Sequence, residues 1–491
     1  MSMSRSQQSN AQEVSTPSGP GCCSLVRDLI GRALPQRVIG ARMCVALAAF
    51  ALAPAVLAQN TPPFEGAPLS ADQPKSGEVQ QSQWSVFGQF TNVTQKHNRF
   101  HAPYSGANSL APDGRTEETS DATVYAGARL WRGAEAWINP EIDQGFGLSG
   151  TLGAAGFLSG EAYKIGANAP YLRLPRFFVR QYIPLGGGAE HVQGVANQFA
   201  YESATDGLTI TIGKFSVVDI FDANRYAHDP RGDFMNWALI DAGTFDYAAD
   251  AWGFTYGAAS ELTLGSWSVR GGVFQLSPAP NGKVTAVRFG QRSWVGEIER
   301  RYEWAGRPGK VRVLGFVNQG RMGTYDDAVR LAKANGDTPN TSLVRRFRSR
   351  PGLSVSAEQE LSSELGVFTR AGVNSGRFEA YEFTEINRTA SAGVVLSGIR
   401  WGRPDDRIGV GAVVNGLSGD ARRYFAAGGL GILIGDGRLN YGSERIAELY
   451  YSYKANAHLT LAVDFQRLQN PAYNRDRGPV SVFGMRLHAE I

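Results

Sequence analysis

Between positions 217 and 250 the chain reads VVDIFDANRYAHDPRGDFMNWALIDAGTFDYAAD, setting Asp219, Asp222, Arg225, Asp229, Arg231 and Asp233 among Phe221, Tyr226, Phe234 and Trp237. Carboxylates and guanidiniums this close pair with one another, and the rings between them offer aromatic edges to a solute. Lipid would be a poor neighbour for such a segment. Arg346, Arg348 and Arg350 share one parity with Glu358 and Glu360, so on a strand all five project to one face. Arg176 and Arg180 form a second such pair, with Glu297 and Glu299 as candidate partners for both arginine sets.

Other constellations are weaker. Glu141 and Asp143 point the same way on a strand, as the paired carboxylates of a glycosidase would, although a barrel wall is the more ordinary home for them. His97 and His101 have i, i+4 spacing, but KHNRFHAPYSGANS reads as loop and offers no third metal ligand. GGLGILIGDG lacks the alternating helices of a dinucleotide fold, and neither GxSxG nor HExxH occurs. No metal, no cofactor and no enzymatic activity is expected.

Strands must carry these residues. Sixteen strand-like segments follow residue 83: 84–94, 120–131, 135–144, 171–183, 208–216, 251–260, 265–276, 292–303, 310–319, 351–361, 365–374, 388–400, 407–416, 444–454, 459–468 and 480–491. Many alternate. Leu459, Leu461, Val463 and Phe465 oppose Thr460, Asp464 and Gln466, and Phe483, Met485, Leu487, Ala489 and Ile491 oppose Gly484, Arg486, His488 and Glu490. Charge on the polar parity would cost several kcal/mol per unpaired ion in a packed core, which a wet interior avoids. The gaps between the last segments run long and short in turn, at 375–387, 401–406, 417–443, 455–458 and 469–479. Short turns on one side and long loops on the other mark a transmembrane antiparallel β-barrel with short periplasmic turns and long extracellular loops. The stretch 184–207 fits a long turn, a strand extension or an extra hairpin.

The ends and the composition agree. Arg37 and Arg42 precede an apolar run from Val45 to Leu57, which gives residues 1–58 the shape of a secretory leader cut after Ala58. All three cysteines, Cys22, Cys23 and Cys44, fall within it, so the mature chain has no thiol chemistry. Five arginines go too, leaving 44 basic against 43 acidic residues and no electrostatic case for nucleic-acid binding. Residues 59–83, rich in Pro, Gln, Ser and Gly, read as a periplasmic lead-in, and 84–491 as a single barrel domain. No later stretch reaches 18 consecutive apolar residues, as a spanning helix would require. Glycine at 59 of 491 residues and aromatics at 11% suit a barrel whose apolar content is hidden in alternation.

The words GKFSVVDIFD at 213–222, WINPEIDQGFGLSG at 137–150, DYAADAWGFTYGAA at 246–259, WGRPDD at 401–406, GGLGILIGDGRL at 428–439 and NPAYNRDRGPV at 470–480 resemble carbohydrate-selective outer-membrane porins of the OprB type. The resemblance covers the chain from about Trp84 onward. It implies a sixteen-stranded barrel passing small saccharides, with a constriction loop at 217–250. Pore-lining roles carry over to Asp229, Arg231, Asp233, Asn236 and Trp237, and to Glu141 and Asp143. The Arg346, Arg348 and Arg350 set is read as lumen lining, against exposed loops or lipopolysaccharide phosphates. Outer-membrane lipid, lipopolysaccharide, the barrel-insertion machinery and a homotrimer are the implied partners; Ile491 stands where such porins end in an aromatic. An anion-preferring or general porin, and a secreted polysaccharide-acting enzyme, are the alternatives. Trp84, Trp131, Tyr451 and Tyr453, near strand ends, suit an interfacial girdle.

Overall fold

The computed structural model describes residues 82–162, 166–250 and 252–491; the leader expected at 1–58 and the lead-in up to residue 81 lie outside the described residues. Sixteen strands follow: β1 Trp84–His97, β2 Arg115–Trp131, β3 Ala134–Phe146, β4 Gly166–Val192, β5 Tyr201–Phe215, β6 Thr255–Leu264, β7 Trp267–Gln275, β8 Arg292–Trp304, β9 Arg307–Met322, β10 Arg346–Glu360, β11 Leu365–Asn374, β12 Arg388–Gly398, β13 Arg403–Gly416, β14 Glu444–Asn456, β15 Leu459–Gln469 and β16 Val480–Glu490. Each pairs antiparallel with its sequence neighbours, and β16 pairs with β1, setting Ala489 opposite Phe90 and Phe483 opposite Lys96. Closure leaves no free sheet edge, which a bilayer demands because it has no water for unpaired backbone groups.

Every expected segment is a strand. The stretch 184–207 is an extension: β4 runs for 27 residues, and its hairpin with β5 closes at 193–200. The strand expected at 251–260 begins at Thr255, so the connection before it lengthens to 216–254. Loops sort by side. Connections at 132–133, 265–266, 305–306, 361–364, 399–402 and 457–458 are short, and those between them on the other side are long. Between β8 and β9 the two residues Ala305 and Gly306 both have positive φ, at 51° and 71°, the two-residue turn whose twist matches a hairpin.

Alternation separates two solvents. On β16 Phe483 and Met485 face outward and are exposed, whereas Arg486 faces inward and is buried. Trp84, Trp131, Trp267 and Trp304 are exposed at strand ends on the short-turn side, where Tyr453 joins them. These rings form the expected girdle. Sixteen strands enclose a wide lumen, and here loops occupy much of it: Phe221, Phe234 and Phe245 of 216–254 are fully buried.

Candidate solute site in the barrel lumen

Residues 216–254 leave β5 and return to its neighbour β6, yet they bond to strands all round the barrel. Glu297 of β8 accepts the Asp222 N–H at 2.8 Å, and Arg486 of β16, eight strands away, donates to the Asp233 carbonyl at 2.9 Å. Glu358 of β10 accepts the Arg225 N–H at 3.0 Å, and Glu448 of β14 accepts the Asn236 N–H at 3.0 Å. Arg370 of β11, fully buried, donates to the carbonyls of Leu239, Ala227 and Asp222 at 2.8, 2.8 and 3.1 Å, and pairs with the Asp222 carboxylate at 3.2 Å. A segment fastened to β8, β11, β14 and β16 crosses the lumen.

Local capping shapes the crossing. Ser216 and Asp219 close a reciprocal capping box at the loop's start. The Asn236 side chain accepts the Ala238 N–H at 3.1 Å while donating to the Gly156 carbonyl at 3.0 Å and to Gln466 of β15 at 3.1 Å. That starts the helical turn Trp237–Ile240 and aims Trp237. Its ring stacks on Phe157 at 5.0 Å and on Phe383 at 5.4 Å, and Tyr247 meets Phe383 at 4.3 Å. Three long loops thus contribute to one aromatic stack.

The stack borders a cavity of about 200 Å³, whose polar lining includes Glu141, Arg173, Arg176, Asp219, Asp229 and Arg231. Arg176 grips Asp219 through two hydrogen bonds, at 2.7 and 2.8 Å, and Arg231 grips Asp229 at 2.9 and 3.2 Å. Such forked pairs hold both partners in fixed geometry while leaving carboxylate lone pairs for a hydroxyl. Burial alone would raise the Asp229 carboxyl, but the Arg231 guanidinium outweighs it and holds the group below the usual carboxylate range. Burial, then the nearby Arg370 charge, pushes the His228 imidazole down, which favours its neutral form.

Of the residues singled out by sequence, Glu141, Asp229, Arg231 and Trp237 meet at this cavity. Asp143 lies behind it, sharing Arg173 with Glu141. Two carboxylates tied to one guanidinium are not poised as a glycosidase acid and base. Asp233 and Asn236 are buried anchors instead of lining: the Asp233 carboxylate accepts the His228 and Asp229 N–H groups at 3.0 and 3.2 Å. The Arg346 set keeps its inward parity but not its expected partners. Arg346 is exposed at the long-loop rim, Arg348 pairs with Asp327 of the helix Tyr325–Asn335 at 3.0 Å, and Arg350 is buried against Asp246. Glu297 and Glu299 pair with Arg270, and Glu299 also with Arg312, so those guanidiniums already occupy the place given to the two arginine sets.

Arg173, Arg370 and Phe157 were missed. Arg173 and Arg176 lie three apart, which a strict period of two puts on opposite faces. The β3–β4 register shifts between Asn139 and Glu141, setting Arg176 against Asn139 and Arg173 against Glu141, so both arginines point inward. Arg370 had a legible signal in its shared parity with Phe368 and Gly366, whereas nothing local marks Phe157.

A closed sixteen-stranded barrel with sorted connections and a lumen crossed by its own loop has the architecture of an outer-membrane porin. The family model described as the carbohydrate-selective porin, OprB family, matches residues 107–490, and the chain belongs to that family. Among curated proteins it is similar to Porin AaxA of Chlamydia trachomatis, 22% identical over 317 residues covering 61% of this chain and 56% of that one. Porin AaxA of Chlamydia muridarum is 21% identical over 313 residues with the same coverage. The chain therefore spans about half the length of the curated relatives it matches. The high-pH structure of Pseudomonas putida OprB is 15% identical, covers 83% of this chain and 94% of that one, and has a TM-score of 0.62, a likeness of fold. Porins are channels of the bacterial outer membrane, so the polysaccharide-acting enzyme falls away on family grounds.

Proposed function

We propose that the protein lets small carbohydrates diffuse passively across the outer membrane, with the constriction where 217–250 crosses the lumen. The observation that carries this reading is a single cavity bordered by the Trp237 stack and by the Arg231–Asp229 and Arg176–Asp219 pairs. Both faces of Trp237 are covered by Phe157 and Phe383, so the edges of the stack border the apolar side of a pyranose ring, and forked pairs take its hydroxyls, each weakly enough to release. Selectivity here needs only raised occupancy, not a trap. Surrounding lipid and lipopolysaccharide, the insertion machinery and a trimeric assembly complete this reading.

Purified protein in planar bilayers should carry an ion current that falls as glucose or maltose is added. Trp237→Ala, which removes the middle ring of the stack that borders the cavity, should weaken that block about tenfold, and Arg231→Ala by a few fold. A current indifferent to every neutral sugar refutes carbohydrate passage. The anion-preferring alternative drew on arginines that here have carboxylate partners, Arg348 with Asp327 and Arg350 with Asp246. A reversal potential favouring chloride would revive it.

A further inference from the structure

Inside the barrel, guanidiniums come with carboxylates: Arg270 with Glu297, Arg312 with Glu358, Arg350 with Asp246 and Arg370 with Asp222. On one stretch of the outer wall they do not. Alternation turns Arg388 of β12, Arg445 of β14 and Arg467 of β15 outward, each beside the long-loop end of its strand. In the half of β12–β15 next to the long loops, the other outward residues, such as Ala390, Val414, Leu449 and Phe465, carry no charge. The hydrogen bonds of these arginines go to neutral oxygens, Arg388 to the Leu417 carbonyl at 3.3 Å and Arg467 to the Ser481 hydroxyl at 2.5 Å.

A fourth guanidinium converges on the same rim. Arg422, on the helix Gly419–Ala426, donates to the Leu417 carbonyl that Arg388 also uses, at 3.2 Å, and lies 3.6 Å from the centre of the Tyr441 ring. The Tyr441 hydroxyl and the Arg388 stem flank the outward side of Gly416, 3.4 and 4.0 Å from where a Cβ would stand. Arg445 and Arg467 are diagonal neighbours on one face, since Arg445 pairs with Gln469 and Arg467 with Ala447.

Two cations drawn to one carbonyl repel each other, and an anion with several acceptor oxygens relieves the repulsion. Phosphate matches the guanidinium fork. Further down the same strands Val394, Val410, Val414, Leu449 and Val463 are exposed toward lipid, an apolar strip of the kind that acyl chains cover. The ligand that fits is therefore a lipid with its phosphates at the long-loop rim. Long loops mark the outer leaflet, whose phosphorylated glycolipid is lipopolysaccharide.

We infer that the outer face of β12–β15 is a docking site for lipid A, the phosphorylated anchor of lipopolysaccharide. Arg388 and Arg422 take one phosphate beside Tyr441, and Arg445 and Arg467 take another. The inference rests on the outer-membrane setting, gives the lipopolysaccharide contact named above a place on the wall, and holds whatever solute the lumen passes.

Protein refolded in detergent is titrated with lipid A bearing both phosphates, with the same lipid after removal of its phosphates, and with phosphatidylglycerol, and binding is read by native mass spectrometry. Intact lipid A should bind about tenfold or more tightly than the dephosphorylated form, the scale of one charge-assisted contact or more. Combining Arg388→Ala, Arg445→Ala and Arg467→Ala should erase that preference, and Arg330→Ala, which removes an exposed guanidinium held by Asp326 and Asp327, should keep it. Heat-modifiable migration and unchanged sugar block show that the triple variant has assembled with its lumen intact. If it does not assemble, Arg422→Ala on the loop helix should by itself lower the preference about threefold. A preference that survives these substitutions overturns the assignment. Equal binding of the two lipid A forms by the unaltered protein overturns the inference, and so does phosphatidylglycerol binding as tightly as lipid A, which would make the patch a general surface for anionic lipid. Each of these results leaves the sugar reading standing, whereas absence of sugar block removes that reading and not this one.

Discussion

The loop that crosses the lumen uses the same ion pair in two settings. At Arg231 and Asp229 the side chains are 22% and 46% exposed, bordering the open cavity. At Arg370 and Asp222 they are 0% and 2% exposed, and at Arg350 and Asp246 1% and 4%. Chemistry does not distinguish these pairs; access to water does. An exposed pair contributes at most about 1 kcal/mol to stability and remains free to exchange a hydrogen bond with a passing hydroxyl. A buried one costs about 3–5 kcal/mol to break, because its partner is stranded. The stretch at Asp229 and Arg231 can therefore serve as a solute surface because the loop is clamped on either side of it, at Asp222 and at Asp246.

Removing the clamp should have the largest effect. Arg370→Ala strands the Asp222 carboxylate and three carbonyls, and should lower stability by about 3–5 kcal/mol. It should also release the loop, raising unit conductance and abolishing sugar block. The temperature at which the barrel changes gel migration reads the first effect, and bilayer recording the second. If Arg370→Ala kept normal conductance while Arg231→Ala opened the channel, the roles of the two ion pairs would be reversed.

A smaller effect of opposite sign should come from Asp241, inside the clamp. Burial and then the Asp222 charge push its carboxyl up to about 7. A group whose folded value lies above its unfolded value of about 3.9 holds a proton in the folded state that the unfolded chain releases. The penalty of ionising it in place therefore grows between pH 4 and 7 and is complete above pH 7. Asp241→Asn should stabilise the barrel at pH 8, with the gain fading toward pH 4. A gain that grew as the pH fell would show that Asp241 is held ionised.

Alternation and loop sorting made the barrel legible, because lipid and water each impose their rule at every second residue over sixteen strands. Within the site, Asp229, Arg231 and Trp237 were readable because one short segment holds them all. Arg173 was hidden by a bulge that reverses parity, and Phe157 and Phe383 by distance, since their meeting with Trp237 exists only once three loops fold inward. Asp233 and Asn236 show the complementary failure. Sequence marked them as polar members of the crossing loop, but only the fold shows that their hydrogen bonds are spent on its backbone and on β15.

The smallest expected effect lies at the rim. Arg346 points inward like Arg348 and Arg350, but it is exposed at the start of β10. Arg346→Ala should change sugar block less than twofold and stability by under about 1 kcal/mol, as for an exposed charge. Its value is as a control on parity alone. Arg231 and Arg346 both face the inside of the barrel, and only Arg231 has a carboxylate fork and a neighbouring aromatic stack. If Arg346→Ala weakened block as much as Arg231→Ala, inward direction by itself would make a solute site, and the contrast between open pair and buried clamp would lose its meaning.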